Sequence, residues 1–100
     1  MDIACTLTTS DLAAQRGRWL RLIRVSGSGR VETADGLRLG FRADSGVAEE
    51  LEQLAAVERR CCAWAAWSVT RSDDRVELAV TSAGDGVAAL HSMFAEAAAH

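Results

Sequence analysis

The 100-residue chain contains no proline and no lysine, and all 11 of its basic residues are arginine. The use of arginine without lysine, together with the many alanines, indicates a GC-rich coding sequence rather than a mechanism. The arginines are spread along the chain without a basic block, and the formal net charge is -3. Direct nucleic-acid binding is therefore not expected, because it depends on clustered positive charge.

Long apolar runs are also missing, and none approaches the roughly 20 residues that span a bilayer. Residues 1–10 lack the basic start and the apolar stretch of a signal peptide. We therefore expect no membrane association and a cytoplasmic location, in which the three cysteines are thiols rather than structural disulfides. A disulfide between the helical neighbours Cys61 and Cys62 would also be badly strained.

The short motifs that identify common sites are absent as well. The sequence has no CxxC pair, no P-loop, no dinucleotide fingerprint and no HExxH. Its length and its hydrophobic fraction of 49% predict a single domain over residues 1–100, with one modest core. Any functional site must lie on that core, at its edge or at an oligomer interface.

Hydrophobic periodicity predicts an α+β fold of two layers, with an antiparallel-rich sheet against about three helices. Asp35-Gly36 is the strongest turn signal, and Ser26–Gly29 is expected to end the first helix. The predicted order is a strand (1–7), a helix (8–25), a hairpin (30–34 and 37–43), a helix (from 44 or 45 to 64–66), a hairpin (67–71 and 75–81) and a helix (from 84).

The second predicted helix carries a carboxylate within its apolar stripe. At about 100° per residue, Glu58 falls near the middle of the face that begins with Val47 and Leu51. A buried, unpaired carboxylate must find a partner, bind an ion or take up a proton. Cys61 and Cys62 follow Glu58 at i+3 and i+4, spacings at which helical side chains meet.

A third sulfur is available if the predicted first strand packs against this helix, since Cys5 lies on its inward face. Cys5, Cys61, Cys62 and Glu58 then form a candidate metal site. Thiolates favour soft ions, which suggests zinc, copper(I), mercury(II) or arsenic(III) as the bound ion. His91, at the border of the last helix's apolar stripe, is a candidate fourth ligand.

Two other interpretations stay open. A carboxylate beside two thiols also suits a thiol-based enzyme, either organometal-cleaving or redox, which requires a reachable thiolate of low pKa. Alternatively, the cysteines are small buried hydrophobes and Glu58 forms a structural ion pair with Arg16 or another arginine. The chain would then be a small-ligand or protein-interaction module, with a homodimer through its sheet or helices.

The string ERRCC at residues 58–62, with the opening IACTLT, resembles a small bacterial domain with an ERxCC motif. That domain occurs alone or as an extension of MerR-type regulators. The resemblance implies a role in heavy-metal or thiol stress for Cys5, Glu58, Cys61 and Cys62. Ala63-Trp64 stands where that domain has proline and phenylalanine, so we expect the helix to continue past Cys62.

Overall fold

The computed structural model describes residues 9–94, apart from the side chains of two residues early in the first helix, and has the element order α-β-β-α-β-β-α. The elements are α1 (Thr9–Ser26), β1 (Gly27–Thr33), β2 (Gly36–Arg42), α2 (Val47–Cys61), β3 (Ala66–Arg71), β4 (Arg75–Thr81) and α3 (Asp85–Met93). The predicted α+β class is confirmed. The predicted strand over residues 1–7, which includes Cys5, lies outside the described residues.

Two β-hairpins form one antiparallel sheet of strand order β1-β2-β4-β3. Because Thr33 pairs with Gly36, the first hairpin has a two-residue loop, one residue earlier than the predicted turn. Gly36 begins β2 instead, where an added Cβ would collide with the Val80 carbonyl of β4. The central β2–β4 pair is continuous from Gly36–Thr81 to Arg42–Arg75.

β1 begins earlier than the sequence predicted. The Ser26–Gly29 segment was expected to form a loop after the first helix, but the strand follows the helix directly, with an irregularity in its register between Gly27 and Gly29. A side chain at Gly27 would collide with the carbonyl group of Ile23. Glycine therefore permits the chain to pass from helix to strand without an intervening loop.

One face of the sheet packs against the helices. Alternate residues of the two central strands point inward and are at most 1% exposed, as their periodicity predicts. They are Leu37, Leu39 and Phe41 of β2, and Val76, Leu78 and Val80 of β4. The helices contribute Leu22, Ile23, Leu51, Leu54 and Leu90 to the same core. Among the described residues, no helix is long and apolar enough to span a membrane.

The end of α2 differs from the prediction, because the helix stops before Cys62 instead of continuing to residues 64–66. Cys62 has φ -118° and ψ 56°, and its N–H donates to the carbonyl of Glu58 at 2.6 Å. The Cys62 carbonyl accepts hydrogen bonds from the Ala65 N–H and the Trp67 indole, both at 3.2 Å. These bonds turn the chain into β3, so proline is not required to end the helix.

Candidate metal centre

Three potential ligands converge at the C-terminal end of α2. The ligand atoms of Glu58, Cys61 and Cys62 all lie within 4.8 Å of one another. Cys61 Sγ is 3.6 Å from Cys62 Sγ and 3.7 Å from Glu58 Oε1. All three residues are buried, and Glu58 is only 3% exposed. With both cysteines reduced, this buried group of two sulfurs and a carboxylate is compatible with metal binding.

The two sulfurs approach each other because the helix ends between them. Neighbouring residues of a continuous α-helix point about 100° apart. Cys62 does not have the helical backbone conformation, so this angle does not apply to its side chain. Its sulfur lies beside the sulfur of Cys61. Glu58 stays on the buried face of α2, one turn earlier. The end of the helix between Cys61 and Cys62 therefore accompanies the convergence of the three ligand atoms.

Two neutral donors from α1 hold the carboxylate of Glu58. Gln15 Nε2 donates to Oε2 at 2.8 Å, and Trp19 Nε1 donates to the same oxygen at 2.7 Å. Gln15 Nε2 also contacts the Leu54 carbonyl oxygen, at 3.2 Å. Gln15 and Trp19 are one turn apart on α1, a spacing that places both on one helix face. Oε2 is therefore fixed, while Oε1 faces Cys61.

Glu58 does not form the ion pair with Arg16 that was one of the open interpretations of the sequence. Within residues 9–94, ion pairs join Arg18 to Glu50, Arg30 to Glu32, Arg42 to Asp44 and Arg71 to Glu49, among others. None of them contains Glu58. Its buried carboxylate thus has two hydrogen-bond donors and no cationic partner among the described residues, an arrangement that is costly when the group is ionised.

Gln15→Ala should lower the free energy of unfolding by about 1–3 kcal/mol, because a buried carboxylate loses a donor. Gln53→Ala is the matched control, since Gln53 is an exposed glutamine on α2, and it should change stability by less than about 0.5 kcal/mol. Urea unfolding of both variants measures the difference. Equal effects would mean that the Gln15–Glu58 hydrogen bond contributes nothing to the fold.

The two neighbouring cysteines differ in oxidation state. Cys61 is disulfide-bonded, whereas Cys62 carries a free and buried thiol. The sequence predicted that all the cysteines are thiols, and Cys61 departs from that prediction. Cys5, the third cysteine of the chain, lies outside the described residues.

Burial, first of all, raises the pKa of the Cys62 thiol; with the negative charge of Glu58 and the hydrogen bond that the thiol donates to this carboxylate, the pKa reaches about 12. Such a thiol is protonated at neutral pH, whereas thiol-based enzymes use a reachable thiolate of lowered pKa. The surroundings of Cys62 therefore do not favour a redox or organometal-cleaving enzyme.

The raised pKa predicts that the protein loses stability in alkali. The thiol has its ordinary pKa of 9.0 in the unfolded chain and about 12 in the folded protein. The folded state therefore retains a proton that the unfolded state loses, and the free energy of unfolding should fall as the pH rises from about 9 to 12. Because the chain has no lysine and no tyrosine, few other side chains titrate in this range.

Urea unfolding at several pH values measures this dependence. Cys62→Ser, which retains a small polar side chain without a thiol, should flatten the stability profile above about pH 9. Identical slopes for the variant and the parent would contradict a thiol pKa raised by the fold.

An aromatic cluster lies beside the site. Trp19 and Phe94 meet edge to face with centroids 5.2 Å apart, and Trp67 lies 6.3 Å from Trp19 and 6.2 Å from Phe94. The hydrogen bonds from Gln15 and Trp19 to Glu58 were not predicted from the sequence. The one available signal is that Gln15 precedes Trp19 by one turn on the same helix.

His91 is not part of the ligand group found among the described residues. Its Nε2–H donates to the Gly36 carbonyl at 2.7 Å, and Nδ1 lies 3.9 Å from Glu32 Oε1. These contacts connect α3 to the first hairpin. The structure therefore gives no support for His91 as a fourth ligand.

Comparison of the chain with protein family models, with curated proteins and with solved structures gives no match in any of the three searches. The resemblance to the ERxCC domain stays a prediction from the sequence. The convergence of Glu58, Cys61 and Cys62 remains the feature of the chain that bears on function.

Proposed function

We propose that the reduced protein binds a soft metal or metalloid ion through the thiolates of Cys61 and Cys62 and the carboxylate of Glu58. Cys5 is proposed as an additional thiolate ligand. The convergence of three buried ligand atoms within 4.8 Å is the observation that carries this proposal. A role in heavy-metal or thiol stress rests only on the resemblance at residues 58–62.

The charges of the site also support cation binding. Glu58 is buried, its donors Gln15 and Trp19 are neutral, and no described arginine pairs with it. A metal ion would compensate this carboxylate and would displace the proton of each ligating thiol to solvent. Binding should therefore release protons and strengthen as the pH rises.

The spacing of the sulfurs favours ions with bent coordination. Two sulfurs of a tetrahedral zinc site, each with a bond of about 2.3 Å, lie roughly 3.8 Å apart. The separation between Cys61 Sγ and Cys62 Sγ is 3.6 Å. An ion that binds two sulfurs in a line would hold them about 4.6 Å apart at the same bond length. If the two sulfurs keep this separation when Cys61 is reduced, zinc or pyramidal arsenic(III) is favoured over linear mercury(II) or copper(I).

The predictions of location, nucleic-acid binding and oligomeric state are kept as part of this proposal. Both thiols are available only where the protein is reduced, which agrees with the predicted cytoplasmic location. The absence of direct nucleic-acid binding and the possibility of a homodimer stay predictions.

The test is titration of fully reduced protein with zinc, arsenite, copper(I) or mercury(II), each in competition with a chelator or a small thiol. We expect one bound ion per chain, with zinc or arsenite binding weakened in Cys62→Ser while circular dichroism shows an intact fold. Glu52→Gln changes an exposed carboxylate on the same helix and should bind as the parent does. Equal binding by a variant with serine at positions 5, 61 and 62 would refute the proposal.

A further inference from the structure

The sulfur of Cys61 belongs to two arrangements at once. It is part of a disulfide, and it also lies in the group of potential metal ligands with Glu58 and Cys62. A cysteine binds a metal ion as a thiolate, whereas a disulfide sulfur carries no proton to lose and no negative charge. One sulfur atom therefore cannot serve both arrangements at the same time.

We propose that the Cys61 disulfide and a bound metal ion are mutually exclusive states of one site, so that thiol oxidation controls metal binding. This inference rests on the function proposed above and adds its regulation. Cys62 is free and the chain has three cysteines, so Cys5 is the proposed partner of Cys61. Oxidation would then remove two of the three thiolates together.

The chemistry requires a thiol–disulfide couple, such as a small dithiol and its oxidised form. The dithiol gives two electrons and two protons to the disulfide, whose S–S bond breaks to leave two protein thiols, and the dithiol closes into its own disulfide. The metal ion then displaces thiol protons to solvent. In the opposite direction, a small disulfide accepts two electrons from two protein thiolates, its own S–S bond breaks to leave two small-molecule thiolates, the protein S–S bond forms, and the metal ion leaves.

The geometry explains why Cys62 stays outside the disulfide. Its sulfur is only 3.6 Å from that of Cys61, but joining adjacent residues would close a small ring with strained disulfide geometry. The oxidised site therefore retains the thiol of Cys62 and the carboxylate of Glu58. Two ligands are fewer than the three or four protein ligands of a typical zinc site, so the oxidised protein should bind the ion poorly.

The experiment compares three samples of the same protein: fully reduced, oxidised with a small disulfide, and reduced again after oxidation. Free thiols are counted and intact masses are measured in each sample before zinc is titrated against a chromophoric chelator. We expect oxidation to weaken zinc binding by more than about 100-fold, the upper range for loss of an outer hydrogen bond at a metal site. Reduction should restore binding.

Peptide mapping tests the pairing. Cleavage after arginine places Cys5 within residues 1–16, and Cys61 with Cys62 within residues 61–71. The oxidised protein should yield these two peptides joined, with one free thiol. In Cys5→Ser the same oxidant should leave zinc binding unchanged, because the variant has no partner for Cys61.

The outcomes separate this inference from the proposed function. Equal zinc binding by reduced and disulfide-containing protein would overturn the redox control and leave metal binding standing. Three free thiols after oxidant treatment would also overturn it. Failure of the reduced protein to bind any of the soft ions would refute both proposals.

Discussion

Glu58→Gln should leave the metal-free protein as stable as the parent, or more stable, while weakening zinc or arsenite binding by at least about 10-fold. The amide oxygen of glutamine can still accept the hydrogen bonds of Gln15 and Trp19. The substitution removes a buried negative charge that has no cationic partner among the described residues. The same charge is the proposed oxygen ligand, so stability and binding should change in opposite directions.

Urea unfolding without metal and chelator competition with metal measure the two effects on one preparation. Glu52→Gln removes a carboxylate from the exposed face of the same helix and should alter neither quantity. A parallel loss of stability and affinity in Glu58→Gln would instead mean that the carboxylate serves the fold alone.

The position of Glu58 could be predicted from periodicity because α2 is regular up to that residue. The spacing of apolar residues puts the carboxylate on the buried face, and it is 3% exposed in the structure. The inner strands could be predicted for a similar reason, since alternating residues such as Leu37 and Leu39 can be buried together only on one side of a sheet. Local repetition determines these features.

Other features depend on contacts between distant segments, which no local pattern encodes. Gln15 and Trp19 reach Glu58 across about 40 residues of sequence, because α1 packs beside α2. The end of α2 depends on the Trp67 indole, which donates to the Cys62 carbonyl from β3. The helical spacing still brought Cys61 and Cys62 beside Glu58, as the structure has them, but it could not show that the helix ends at Cys61.

The oxidation state of the cysteines could not be predicted from composition either. The absence of a signal peptide argued for thiols at every position, yet Cys61 is in a disulfide and Cys62 is not. The two cysteines are adjacent in the sequence, so no local pattern distinguishes them.

Trp19 should show the largest effect on stability of any residue around the site, and two substitutions separate its two roles. Trp19→Ala removes a buried ring in contact with Trp67 and Phe94, which should lower the free energy of unfolding by about 3–5 kcal/mol. Trp19→Phe retains much of that packing and removes the indole donor to Glu58, which should cost about 1–3 kcal/mol.

The chain offers a matched control for the donor. Trp64 Nε1 is buried without a hydrogen-bond partner among the described residues, so Trp64→Phe loses no hydrogen bond and should destabilise less than Trp19→Phe. Trp19→Phe should also weaken zinc binding by about 10–100-fold, because the donor fixes the orientation of the carboxylate. Urea unfolding and chelator competition measure both quantities. Both Phe variants lose an indole N–H, but only the N–H of Trp19 donates to Glu58. Equal results for the two variants would therefore contradict a positioning role for the Trp19 indole.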